Sequence, residues 1–175
     1  MSRKPLPPLE PGWVLVDGLP VFHRFNVDAG SDAGAMVHVH GFGISGTYLE
    51  PTAALLAPRY RTFVPDLPGM GRSIRPEPGL DLPGLAKALM SYCDAVGVER
   101  PILVGNSLGC PIILEVAASF PDRIERAVMV SPAGGPPRVT GAVTAGPVCA
   151  VELSPPDPRC APRPGPLPHP AGRAM

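Results

Sequence analysis

The stretch Pro101-Ile102-Leu103-Val104-Gly105-Asn106-Ser107-Leu108-Gly109-Cys110-Pro111-Ile112-Ile113-Leu114-Glu115-Val116-Ala117-Ala118 decides the fold. Its first four residues form a short apolar run closed by a glycine, as in a buried strand. From Cys110 onward the pattern is helical, and Pro111 falls in the first turn, where its missing N–H leaves no helical hydrogen bond unmade. Between the two lies Gly105-Asn106-Ser107-Leu108-Gly109, of the form G-x-S-x-G. A serine on such a strand-to-helix turn is thrust out of the backbone at the top of a sheet. The turn is so sharp that side chains two before and two after the serine are expected to collide, which calls for glycine at both positions. The strand before and the helix after give this spacing its force.

Upstream, residues 13–16 and 21–25 read as two strands joined by a glycine-bearing turn at Asp17-Gly18-Leu19-Pro20. Ala35-Met36-Val37-His38-Val39-His40 reads as a third, more buried strand running into Gly41-Phe42-Gly43. A helix is expected over 46–56. A fourth strand, 60–65, ends at Asp66-Leu67-Pro68-Gly69-Met70-Gly71-Arg72-Ser73. Leu82, Leu85, Leu89 and Tyr92 recur at spacings of three and four, which marks an amphipathic helix over 81–96. After the helix behind Ser107, 126–130 reads as a sixth strand. Strands alternating with helices predict an α/β fold: six strands of a mostly parallel sheet, an antiparallel hairpin at its start, and flanking helices.

The chain has 175 residues, enough for one compact domain. Fifteen basic and fifteen acidic residues cancel, so the total charge points neither to nucleic acid nor to a membrane surface. No stretch approaches the ~18 apolar residues of a membrane-spanning helix, and the prolines after Arg3 and Lys4 break any apolar leader. Cysteines 93, 110, 149 and 160 lack metal-site spacing and read as free thiols of a reducing cytoplasm. Proline is unevenly placed: eight of the sixteen residues at 155–170 are proline, a density no helix or central strand survives. The expected organisation is a loose lead-in over 1–12, a partial domain over 13–136, and a disordered Pro/Ala/Arg/Gly-rich tail over 137–175.

The order and separation of His40-Gly41-Phe42-Gly43, Asp66-Leu67-Pro68-Gly69-Met70-Gly71-Arg72-Ser73 and Gly105-Asn106-Ser107-Leu108-Gly109 resemble the α/β-hydrolase superfamily, of the AB hydrolase-1 type, across residues 13–136. The Gly-Asn-Ser-Leu-Gly form of the elbow resembles the meta-cleavage product hydrolases, which cut a carbon–carbon bond, and also simple esterases. The resemblance implies Ser107 as the nucleophile that attacks the carbonyl carbon of a small-molecule substrate. It implies an oxyanion hole from the backbone N–H groups of Leu108 and Phe42. His40, Gly41 and Gly43 would support the loop, Asp66 the glycine-rich turn, and Gly105 and Gly109 the elbow. His38 reads as a satisfied core histidine, Cys110 as helix packing, and His23 has no evident partner. Acyl transfer through a serine requires no metal or organic cofactor, and none is expected.

The family also supplies a histidine and an acid from loops after later strands. Downstream of Ser107 the histidine is His169, within the proline-rich stretch, and the acids are Glu115, Asp122, Glu125, Glu152 and Asp157. None offers a credible base or acid. Glu115 lies on the elbow helix, Asp122 and Glu125 precede the sixth strand, and Glu152 and Asp157 fall in the expected tail. The late strands therefore read as missing, with the sixth left as an exposed edge open to self-association. The expectation is an ancestral serine hydrolase of an ester or related carbonyl compound, impaired in this chain. The alternative is an inactive fragment or a non-catalytic binding module.

Overall fold

The structure is a computed structural model that describes residues 6–30 and 33–133 and the backbone of Val148–Glu152. It opens with a hairpin, β1 (Glu10–Val16) and β2 (Leu19–Asn26), paired from Glu10↔Phe25 to Val16↔Leu19. The connection is only two residues long. Asp17 and Gly18 both have left-handed φ, 50° and 81°, the signature of a type I′ turn whose twist suits a right-twisted hairpin. The hairpin is thus longer and tighter than expected, and its first strand begins inside the predicted lead-in.

The remaining strands are β3 (Ala35–Val39), β4 (Arg61–Pro65), β5 (Ile102–Asn106), β6 (Arg126–Val130) and β7 (Val148–Glu152). All seven form one mixed sheet in the order β1-β2-β4-β3-β5-β6-β7. Strands β4, β3, β5 and β6 run parallel, and β2 joins β4 antiparallel. The four parallel strands therefore end on one edge of the sheet, at Pro65, Val39, Asn106 and Val130.

A 3-10 helix, Gly46–Leu49, runs straight into α1 (Glu50–Leu56), where a single helix was expected. Helix α2 (Leu82–Ala95) starts at Asp81, whose side chain accepts the Gly84 N–H and satisfies one orphan donor of the first turn. Helix α3 spans Gly109–Ser119. Leu85, Leu89, Met90 and Cys93 of α2 and Ile112, Ile113 and Val116 of α3 join Val37, Val39, Leu103, Ala127 and Met129 in the main core. The period of two along β5 and β6 sends Leu103, Ala127 and Met129 into this layer, while Val104 and Val128 on the other face are only half-buried.

Strand β7 corrects one expectation. It pairs antiparallel with β6 over its whole length, from Arg126↔Glu152 to Val130↔Val148, so the β6 edge is covered by the chain itself. A row of unpaired N–H and C=O groups on β6 is a template for any returning extended segment, and valines at 148 and 151 suit a strand. Glu152 is the last residue of β7, not part of a structureless tail. Its register beside Arg126 puts it at the edge opposite Ser107. The rest of the expected tail, with His169 and Asp157, lies outside the described residues.

Candidate active site

Ser107 sits between the end of β5 and the start of α3 with φ at 53°. A side-chain-bearing residue in this region costs ~1–2 kcal/mol, and the surroundings hold it there. Its N–H donates to the Val130 carbonyl at 3.2 Å, and its own carbonyl accepts from the Cys110 and Ala133 N–H groups at 3.1 Å each. The flanking glycines are required, but not because two side chains would meet. A methyl group on Gly105 would lie 2.6 Å from the Gly109 carbonyl oxygen, and one on Gly109 would lie 2.2 Å from the Val39 carbonyl oxygen. The obstacles are the helix start and strand β3.

The loop leaving β3 passes beside the serine. A methyl group on Gly41 would stand 3.2 Å from Ser107 Cβ and 3.6 Å from its Oγ. Gly43 has open space around it, so its φ of 71° is what calls for glycine there. Phe42, between these two glycines, is 77% exposed. Among the described residues no acceptor takes the backbone N–H of Phe42 or of Leu108.

His40 is fully buried with both nitrogens engaged. Nε2 accepts the Leu67 N–H at 2.9 Å, which leaves Nδ1 protonated and donating to the Gly41 carbonyl at 2.7 Å. Burial, the largest influence, pulls its pKa below the ordinary histidine value. The ring is a neutral brace between two loops, with no nitrogen left to act as a base. Asp66 is likewise committed. Its carboxylate accepts from Arg24 Nη1 at 2.7 Å, the Gly46 N–H at 2.7 Å and the Arg72 N–H at 2.9 Å. The glycine-rich turn wraps it so closely that a methyl group on Gly71 would lie 2.3 Å from Oδ2. Ser73 closes the turn, donating to the Asp66 carbonyl at 2.7 Å and accepting the Phe22 N–H at 2.9 Å.

Two histidines depart from the sequence reading. His38 is buried, yet neither ring nitrogen has a partner among the described residues. It is not a satisfied core histidine, and burial pushes its pKa down to about 4. His23, for which the sequence offered no partner, meets the Tyr92 hydroxyl at 2.8 Å and joins β2 to α2. Cys110 is buried, with its thiol 3.1 Å from the Gly105 carbonyl oxygen.

Arg24 and Tyr48 are the residues that sequence reasoning missed. Arg24 reaches from β2 to Asp66, to Thr47 Oγ1 at 2.8 Å and to Glu50 at 2.6 Å. Tyr48 accepts the Gly41 N–H at 3.0 Å and donates to Asn106 Oδ1 at 2.8 Å. Neither has a local pattern that announces it, because most of these contacts are made with residues more than twenty positions away. Among the described residues no side chain bonds Ser107 Oγ, and no cluster of three His, Cys, Asp or Glu could hold a metal ion. No described helix is long and apolar enough to cross a membrane. A polar cleft of about 250 Å³ opens on this edge between Phe42, Met70 and Arg75. A larger, mostly apolar cavity of about 440 Å³ lies between Leu6, Asn26 and Pro58. Ser107 lines neither, but the cleft shares Phe42 and Gly43 with the loop beside the serine, whereas Asn26 pairs with Thr62 at the start of β4, on the edge away from Ser107.

Comparison with known proteins agrees with this fold. A family model described as alpha/beta hydrolase fold matches residues 34–147. A 2-hydroxy-6-oxo-6-phenylhexa-2,4-dienoate hydrolase of Burkholderia cepacia is 32% identical over 124 residues, covering 67% of this chain and 42% of that protein. A pimeloyl-[acyl-carrier protein] methyl ester esterase of Pectobacterium carotovorum is 33% identical over 96 residues, covering 55% and 36%. The crystal structure of a bacterial membrane phospholipase A superposes with a TM-score of 0.69 at 28% identity, covering 76% of this chain and 43% of that one. The chain spans less than half the length of the curated relatives it matches.

Proposed function

Since the chain belongs to the α/β-hydrolase family, we propose that Ser107 is the nucleophile of an acyl-transfer site acting on an ester or related carbonyl compound. The observation that carries this reading is Ser107 at φ 53° on the β5–α3 apex, beside the glycine loop at Gly41. Attack on a carbonyl carbon would place negative charge on its oxygen. The unpartnered N–H groups of Phe42 and Leu108 are the donors assigned to that oxygen, and the start of α3 adds the favourable end of its dipole. The substrates named for the relatives contain an ester or an oxo group, which supports a carbonyl compound.

The described residues supply the nucleophile and the anion-stabilising half of such a site. His40 and Asp66 are both spent on structure, so neither activates the serine. A site lacking one triad member can retain roughly 10³–10⁴-fold catalysis over water. Fluorophosphonate treatment of the folded chain is expected to give slow, stoichiometric labelling at Ser107 that Ser107→Ala abolishes. Label that survives Ser107→Ala, or no label on the native chain, removes this reading. A folded chain that resists the label yet binds a small carbonyl acid would favour a non-catalytic binding module. The observation that favours this second reading is that no side chain among the described residues bonds Ser107 Oγ.

A further inference from the structure

We propose that Tyr48 is a positioning residue that clasps the oxyanion loop to the nucleophile turn and so sets the direction of the Phe42 N–H. This role rests on the reading of Ser107 as nucleophile. A tyrosine hydroxyl has one donor and two acceptor sites. Here it accepts the Gly41 N–H at 3.0 Å and spends its own proton on Asn106 Oδ1 at 2.8 Å. Asn106 is the residue before Ser107, and its Nδ2 donates to the Val130 carbonyl at 3.2 Å. That second bond orients the Asn106 amide with Oδ1 toward Tyr48. One hydroxyl thereby ties the loop after β3 to the end of β5, and through Asn106 to β6.

The clasp acts on the peptide unit next to the one that carries the Phe42 N–H. A trans peptide is planar, with its C=O and N–H pointing in opposite directions. The Gly41 carbonyl and the Phe42 N–H belong to the same unit. His40 Nδ1–H draws that carbonyl inward at 2.7 Å, which turns the Phe42 N–H the other way. His40 alone would leave the unit free to pivot about Gly41, a residue without a side chain. Tyr48 holds the N–H at Gly41's other end, so Gly41 is fixed at both of its peptide groups.

Tyr48 is itself held from behind. It lies on the 3-10 helix Gly46–Leu49, whose first N–H is bound by Asp66 and whose Thr47 hydroxyl is bound by Arg24. This gives the buried Arg24–Asp66 pair a route to the site that involves no contact with Ser107.

The test uses the full chain with an arylboronic acid, which forms a tetrahedral adduct on a nucleophilic serine. Its affinity is read by titration and its geometry by boron NMR, alongside amide hydrogen exchange at Gly41 and the thermal midpoint. Tyr48→Phe is expected to raise Gly41 exchange and weaken the boronate by about ten- to hundredfold, since small misplacements of an aligned group cost that much. The thermal midpoint should barely move, because Tyr48 is 42% exposed. Asn106→Leu should behave alike, and the double variant should lose no more than the weaker single variant. Equal boronate affinity in native chain and Tyr48→Phe overturns the Tyr48 role while leaving Ser107 as nucleophile. No adduct with the native chain overturns the nucleophile reading and this role with it. Unchanged Gly41 exchange in Tyr48→Phe overturns the clasp whatever the boronate does.

Discussion

At the scale of the residue, glycines of one site serve different physical ends. Gly109 is needed for room, since a methyl group there would lie 2.2 Å from the Val39 carbonyl oxygen. Backbone cannot move aside as the end of a flexible side chain can. Gly43 is needed for its dihedral, with φ at 71° and nothing within 4 Å of where a methyl group would stand. Gly109→Ala is therefore expected to lose about 3 kcal/mol of stability by overpacking, and Gly43→Ala only about 1 kcal/mol by strain. Urea unfolding of the two variants checks the ranking; equal losses would mean that the α3–β3 approach is looser than described. The requirement for glycine at 105 and 109 was legible in the pentapeptide. The obstacle at Gly109 was not, because Val39 belongs to a strand seventy positions earlier in the chain.

Among the elements, the short 3-10 helix and α1 are placed by charge rather than by apolar burial. Leu55 is 64% exposed, and the buried residues of α1 are only Ala53 and Ala54. What anchors this segment is Arg24 on β2 and Asp66 after β4, a buried pair with the Gly46 N–H as third member. Removing one partner of a buried pair leaves the other charge uncompensated, at a cost of about 3–5 kcal/mol. Asp66→Asn is expected to lose that much, because an amide nitrogen would face the Arg72 N–H. The Arg24–Glu50 bridge is different in kind, since the Glu50 side chain is 37% exposed. Glu50→Gln should therefore cost under about 1 kcal/mol. Urea midpoints at constant slope would separate the two, and similar losses would refute this division of labour. The glycine-rich motif after β4 was legible as a structural turn. Arg24 was not, because nothing in a hairpin strand marks one arginine as the partner of a carboxylate forty-two positions on.

Across the whole molecule, three buried histidines make the fold sensitive to acid. Burial lowers the pKa of His23, His38 and His40, and His38 reaches about 4. The unfolded chain takes up these protons near pH 6.5, while the folded chain resists. Between those values the unfolded state binds more protons, so stability is full above pH 6.5 and falls as pH drops toward 4. For His38 alone the loss amounts to about 3 kcal/mol. His38→Leu removes a group whose nitrogens have no partner among the described residues. It should flatten the thermal-midpoint profile between pH 6.5 and 4 and leave stability at pH 7 equal or higher. A lower midpoint at pH 7 would show that the ring makes interactions beyond those described.

What the sequence determined by itself was local: the strand–turn–helix around Ser107, the alternation of strands and helices, and the glycine-marked loops at 41–43 and 69–71. Each rests on periodicity or on a dihedral that few residues adopt, and both are properties of neighbours along the chain. The tertiary structure alone decided which polar groups meet. It committed His40 and Asp66 to bracing and left His38 without a described partner. It covered the β6 edge with β7, and it brought Tyr48 onto Asn106 across fifty-eight positions. The reason is physical. A hydrogen bond is decided by distance and direction between two groups, and the register of a folded sheet sets both for residues that the sequence holds far apart.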